Sequence, residues 1–147
     1  MVSAARVIGA EPTLEALRAR AACMDIVNAS LRLVDEKRAL SVLASYTEDA
    51  VMELGGAEVS GEALEAAMRS RDNDDIRRVH VPGQTDFWTE GPDRARAVTL
   101  LQLFNLGPDS SVVPPVAALT RLDDYFVRSD DSVWRLARRV VQPLAGG

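Results

Sequence analysis

Chemistry in this chain must be built from few side chains. There is one histidine, His80, one cysteine, Cys23, and one lysine, Lys37, against 22 carboxylates. A lone imidazole excludes a multi-histidine zinc site within the chain. A lone thiol excludes a disulfide framework and any multi-thiolate metal site. An unperturbed imidazole titrates near about pH 6.5, so His80 is suited to take a proton and to return it. Among the carboxylates, Asp35 has an unusual setting. Leu14, Leu17, Ala21, Met24, Asn28, Leu31 and Asp35 recur at steps of three and four and form one stripe of a helix. Asn28 and Asp35 place polar groups on that otherwise apolar face. Both candidates have plain alternatives. Asp35 precedes Glu36-Lys37-Arg38 and would serve as the N-cap of a second helix. His80 would serve as a hydrogen-bonded histidine inside a sheet.

Strand alternation around His80 gives a polar patch. His80, Gln84, Asp86 and Trp88 fall on one face, and Val79, Val81, Thr85 and Phe87 on the other. The second face suits a dimer interface or a core. A bulge near Pro82-Gly83 would reverse the later residues. Near the C-terminus Arg138 shares a face with Trp134, Leu136 and Val140, which would turn an arginine inward toward Asp35 or a substrate acid. Met24, Tyr46, Met68, Phe104, Tyr125 and Trp134 are the large side chains available to line a cavity or to fill a core. Gly55-Gly56 and the Gly107-Pro108 loop lack a phosphate-loop pattern.

The elements that must position these groups read in order. A helix starts after Pro12 and Thr13, and a second, short one spans Glu36 to about Tyr46 with Leu40 and Leu43 inward. A short strand runs from Val51 to Leu54 and ends at Gly55-Gly56. Gly61 opens a third helix, GEALEAAMRSRD, with Leu64, Ala67 and Met68 as its apolar side. Four longer β-rich stretches follow: Ile76–Thr89, Arg94–Leu106, Ala117–Arg128 and Val133–Val141. Turn residues separate them, as in Glu90-Gly91-Pro92-Asp93 and Ser129-Asp130-Asp131-Ser132. Long strands with short turns predict an antiparallel meander. Helices first and sheet later predict α+β, a long curved antiparallel sheet with helices over one face enclosing a conical cavity.

The 147 residues suffice for one domain, and 47% apolar with 27% charged residues is the balance of a globular protein. A net charge of −5 opposes nucleic acid as a partner. No apolar run approaches the roughly 18–20 residues needed to span a membrane. The N-terminus lacks a signal-peptide core, so the expected location is cytoplasmic.

The stretches LVDEKRALSVLASYTEDAVMEL, VSGEALEAAM, RRVHVPGQTDF and DDYFVRSDDSVWRLARRVV, in this order and spacing, resemble the SnoaL-like branch of the nuclear transport factor 2-like superfamily over about residues 14–142. The resemblance implies a cone-shaped α+β roll, of the cystatin-like kind, with three N-terminal helices, usually a homodimer packed through the outer face of the sheet. Relatives include scytalone dehydratase, ketosteroid isomerase, limonene epoxide hydrolase, polyketide cyclases and dioxygenase small subunits, so fold alone does not settle function. The implied domain spans residues 13–143, between an N-terminal arm (1–12) and a C-terminal tail (144–147).

By the same resemblance, Asp35 and His80 occupy the positions of a pocket aspartate and histidine in dehydratase-like relatives. The carboxylate would fix the imidazole tautomer and raise the basicity of its other nitrogen, giving acid–base assistance of about 10²–10⁴ in rate. Scytalone dehydratase-like sites use a second histidine, which this chain lacks. The expected function is that of a cofactor-independent lyase or isomerase, dehydratase- or cyclase-like, acting on a hydrophobic cyclic small molecule, with Asp35 and His80 as the catalytic pair and no metal. Its substrate would be bound by Met24, Asn28, Leu31, Tyr46, Met68, Trp88, Phe104, Tyr125, Trp134 and Arg138 in a largely apolar pocket. The alternatives are a non-catalytic ligand-binding dimeric domain, which predicts no hydrogen bond between Asp35 and His80, and a dioxygenase-like structural subunit.

Overall fold

A computed structural model of the chain describes residues 7–147. Of the N-terminal arm expected over 1–12, residues 1–6 lie outside the described residues, and 7–12 precede the first helix as turn and irregular backbone. Helix α1 spans Leu14–Asp35 and starts where Thr13 Oγ1 accepts the Ala16 N–H at 3.1 Å. The expected short second helix is a 3₁₀ helix, Ala39–Ser45. Strand β1 (Tyr46–Leu54) and strand β2 (Ala57–Ser60) form a hairpin over Gly55-Gly56, both at positive φ. Helix α2 is Gly61–Asn73. Strands β3 (Arg78–Thr89), β4 (Arg94–Asn105), β5 (Val116–Arg128) and β6 (Trp134–Gly146) complete the chain.

The six strands form one curved, unclosed sheet in the order β2-β1-β6-β5-β4-β3. The meander β3–β6 is antiparallel throughout, as the short turns predict. The sheet as a whole is mixed, because β1 lies parallel to β6. The last strand extends past the expected domain end at 143. Ala145 and Gly146 pair with Leu119 and Ala118, so most of the expected tail is sheet.

The buried stripe of α1 is Ala19, Cys23, Ile26, Val27, Ser30 and Leu31. It is rotated from the expected stripe, and Leu14 and Leu17 are exposed at 56% and 49%. The expected stripe took its phase from Leu14 and Leu17 and so left out Ile26 and Val27, which are buried. The observed one combines Ile26, Val27 and Leu31 with the small Ala19, Cys23 and Ser30, which let the helix approach the sheet closely. This stripe meets the inner sheet face, where Ala95, Ala97, Leu101, Leu122, Phe126 and Leu136 are buried. Ala39 and Val42 of the 3₁₀ helix and Leu64 and Met68 of α2 close the same core.

Bulges set which face each strand residue presents. On β3, Pro82 pairs with Leu101 and Thr85 with Thr99, so Gly83 and Gln84 together oppose Leu100. On β6, Arg138 pairs with Tyr125 and Leu136 with Phe126, so Ala137 is extra. Each bulge inverts the alternation beyond it.

Candidate functional site

Between the helices and the inner sheet face lies a cavity of about 200 Å³. Its walls are mostly apolar: Leu31 and Val34 of α1, Val42, Met52, Ala67 and Met68, and Leu101, Leu103, Leu122 and Val141 of the sheet. The polar side chains that line it are Ser30, Tyr46, Arg71, His80, Thr120 and Arg139.

His80 stands on β3, an edge strand whose outer backbone groups have no neighbouring strand. Asp35, the last residue of α1, fills that gap. One carboxylate oxygen accepts the His80 backbone N–H at 2.9 Å, and the other lies 2.5 Å from His80 Nδ1. The pair is largely enclosed, with side-chain exposures of 13% for His80 and 18% for Asp35. With Nδ1 committed to the carboxylate, Nε2 is the ring nitrogen left to a guest, and the ring lines the cavity. Asp35 does not cap the 3₁₀ helix. That role falls to Asp72, whose carboxylate accepts the N–H groups of Ala39 and Leu40 at 2.5 and 3.1 Å.

A second buried assembly sits in the same cavity wall. Arg139 donates to both oxygens of Asp124, through Nε at 2.7 Å and Nη2 at 2.9 Å, and through Nη1 to Ser30 Oγ at 3.0 Å. Burial opposes the Arg139 charge, but the Asp124 carboxylate beside it holds the guanidinium protonated, well above its usual range. Beside them the Tyr46 hydroxyl is buried and has no hydrogen-bond partner among the described residues. Burial pushes its phenol upward, the Arg139 charge opposes that, and the Asp124 charge adds to it.

The expected site residues divide accordingly. Asp35 and His80 meet, and Leu31, Tyr46 and Met68 line the cavity with His80. Met24 packs into the core outside the cavity lining, and Asn28 is exposed, as the rotation of α1 requires. Trp88 and Tyr125 belong to the outer sheet face, where the Arg96 guanidinium lies 5.1 Å from the Trp88 ring and 4.1 Å from the Tyr125 ring. The bulge at Gly83-Gln84 removes Trp88 and Asp86 from the face of His80. Phe104 alternates outward next to Leu103, which lines the cavity. Trp134 lines a separate hollow with Thr13, Ala16 and Arg128. Arg138 is also outside the cavity, bonded to Glu53 and Glu58 at 2.7 and 2.9 Å. Ala137 is the bulged residue, so the inward arginine is Arg139. Ser30, Arg71, Thr120 and Arg139 of the lining, with Asp124 behind Arg139, are the polar residues absent from the expected set. For Arg138-Arg139 only the bulge at Ala137 decides which member turns inward, whereas Asp124 faces inward by plain alternation with the buried Leu122 and Phe126.

Among the described residues, no cluster of three or more histidine, cysteine, aspartate or glutamate side chains is placed to hold a metal ion. No helix among them is long and apolar enough to cross a membrane.

Comparison with known proteins agrees with this architecture. ActVI-ORFA from Streptomyces coelicolor has a similar fold, with a TM-score of 0.75 at 17% identity over 86% of this chain and 98% of its own. Aln2 from a Streptomyces species follows at a TM-score of 0.73 and 16% identity, over 90% of this chain and 93% of its own. An NTF2-like protein with a cystatin-like fold from Novosphingobium aromaticivorans has a TM-score of 0.72 and 22% identity, over 89% of this chain and 85% of its own. No curated protein matches the chain in sequence. The model of the SnoaL-like domain matches residues 15–140, nearly the whole of the described fold, and the chain therefore belongs to the SnoaL-like domain family.

Proposed function

We propose that the protein is a cofactor-independent lyase or isomerase acting on a small cyclic molecule, with His80 as the acid–base residue and Asp35 as its positioning partner. The observation that carries this reading is the Asp35 carboxylate 2.5 Å from His80 Nδ1, with the imidazole at the wall of an apolar cavity. A carboxylate on Nδ1 favours the tautomer with the proton there and makes Nε2 the base. Nε2 removes a proton from a carbon next to a carbonyl, and the electron pair moves into the enolate. In a dehydration, the imidazolium then protonates a hydroxyl on the β-carbon. The C–O bond breaks, a C=C bond forms, water leaves, and His80 is neutral again. In an isomerisation, the same proton returns to a different carbon. One histidine suffices for either course, because the proton taken is the proton given back. A non-catalytic binding domain would have no need of the Asp35–His80 bond, and its presence favours the catalytic reading.

The proton transfer can be tested before the natural substrate is known. The cyclic ketone 2-tetralone exchanges its α-protons in D₂O, and the exchange is followed by proton NMR. The wild-type protein is expected to accelerate exchange by about 10²-fold or more over the His80→Gln variant. Asp35→Asn should lie between them, with both variants still folded by circular dichroism. Exchange as fast in His80→Gln as in wild type would end the proposal.

A further inference from the structure

The cavity is charged against the rest of the molecule. The chain carries a net charge of −5, yet Arg71, His80 and Arg139 line the cavity and no carboxylate among the described residues does. Two of these bases are matched from behind, His80 by Asp35 and Arg139 by Asp124. Arg71 is not. It stands in the last turn of α2, exposed at the opening of the cavity, and no side chain among the described residues pairs with its guanidinium. Asp74 is the carboxylate whose field reaches it. That carboxylate is already shared by the Lys37 ammonium at 2.5 Å and by two nitrogens of Arg78 at 2.9 and 2.7 Å. Partial burial and the neighbouring Arg78 charge both work against the Arg71 cation. An unmatched cation at the rim of a low-dielectric cavity focuses its field on whatever enters.

We infer that Arg71 is a specificity-determining residue that binds a carboxylate on the guest, so that the cavity takes a cyclic or aromatic carboxylic acid in preference to a neutral ring. A guanidinium fork matches a carboxylate in two parallel hydrogen bonds. The apolar walls take the ring, and the cavity of about 200 Å³ exceeds the roughly 150 Å³ that accommodates benzene in an engineered site. The inference rests on the proposal that this cavity receives a small cyclic molecule.

Because His80 is the only histidine, protein labelled with ¹⁵N-histidine gives one pair of imidazole signals that reports entry into the cavity. The probes are 2-naphthoate and its neutral amide, 2-naphthamide. Both should shift the His80 signals. The naphthoate should bind about tenfold more tightly, and added salt should shrink that advantage. Arg71→Gln should abolish the advantage while leaving naphthamide affinity in place, and Arg71→Lys should recover part of it. Arg69→Gln removes a neighbouring arginine that pairs with Glu65, and it should retain the advantage. Equal affinity of the two probes for wild type, or an advantage that survives Arg71→Gln, would overturn the inference. If naphthamide shifts His80 without any preference for the acid, the acid–base proposal stands and this inference falls. Silence of His80 toward both probes overturns both.

Discussion

Removing both members of the Arg139–Asp124 pair should cost well below the sum of removing each alone. Asp124 is 0% exposed and Arg139 5%. Their two charge-assisted bonds, at 2.7 and 2.9 Å, form a bidentate fork. Truncating one partner leaves a desolvated charge with no compensation, an effect of about 3–5 kcal/mol. Against a typical domain stability of about 5–15 kcal/mol, that is a large share. Arg139→Met and Asp124→Leu should therefore each lower stability by about 3–5 kcal/mol. The double variant replaces two opposed charges by apolar groups of similar length, so neither penalty applies. Its loss should fall well below the sum of the single losses, with a coupling of about 2–3 kcal/mol or more. Ser30 Oγ donates to the Val27 carbonyl at 2.7 Å, and its bond from Arg139 Nη1 is lost equally in Arg139→Met and in the double variant, so that loss cancels from the coupling. Urea denaturation followed by the fluorescence of Trp88 and Trp134 measures all four proteins. Unchanged slopes would show that the denatured state is comparable. A single variant too unstable to purify is the strong form of the expected result, and the double variant then decides. Additive losses would refute the idea that uncompensated charge, and not lost packing, sets the cost.

Three further outcomes follow from the same structure. Hydrogen bonds from Arg78 and Lys37 hold the Asp74 carboxyl well below the usual carboxylate range. Its stabilising effect is present above the unfolded value of about 3.9 and is lost as pH falls through the lower folded value. Asp74→Asn should melt below wild type at neutral pH, and the gap should close in acid. A gap independent of pH would contradict the assignment. Burial, with a smaller contribution from Asp124, pushes the Cys23 thiol up to about 12. The native protein should therefore resist Ellman's reagent at pH 8 and react fully once unfolded, whereas rapid native labelling would show that α1 lifts from the sheet. The outer sheet face, with half-buried Val98 and Leu100, is expected to pair two copies. Sedimentation equilibrium should give twice the 15.9 kDa chain mass, and Leu100→Asp should return it to the single mass. A wild-type monomer would remove that expectation.

Legibility differed by level. The four long strands and their turns were plain because β-branched runs between Gly, Pro, Asp and Ser clusters leave little choice. The parallel pairing of β1 with β6 was not, since nothing local in Tyr46–Leu54 names its neighbour. Inward and outward faces were legible only up to the first bulge. Pro82-Gly83 announces one, because proline cannot donate to a ladder and glycine bends easily. Ala137 announces nothing, and its single extra residue exchanges Arg138 for Arg139 in the cavity. The α1 stripe failed for a different reason. Its helical period was correct, but its phase was taken from Leu14 and Leu17 in the first turn, which are exposed, whereas the buried face is set by Ile26, Val27 and Leu31 with the small Ala19, Cys23 and Ser30.

The position of Asp35 shows how a local competition is resolved at a distance. A carboxylate before a short helix ordinarily spends its oxygens on that helix's free N–H groups. Here Asp72, from α2, takes those N–H groups. Lys37, at φ 60, turns the chain between α1 and the 3₁₀ helix and is tied by its ammonium to Asp74. The same Asp74 carboxylate grips Arg78, two residues before His80. The end of α2 thus both frees Asp35 from capping and holds the two chain segments that carry Asp35 and His80 together. Asp72→Ala should then disturb His80 without touching it. With the 3₁₀ N–H groups unsatisfied, Asp35 becomes their alternative acceptor, and the ¹⁵N signals of His80 should broaden or split as the carboxylate divides its time. Glu65→Gln, which loosens an exposed pair on the same helix, should leave them sharp. Identical His80 spectra in wild type and Asp72→Ala would show that the carboxylate is fixed by its own bonds to His80 alone.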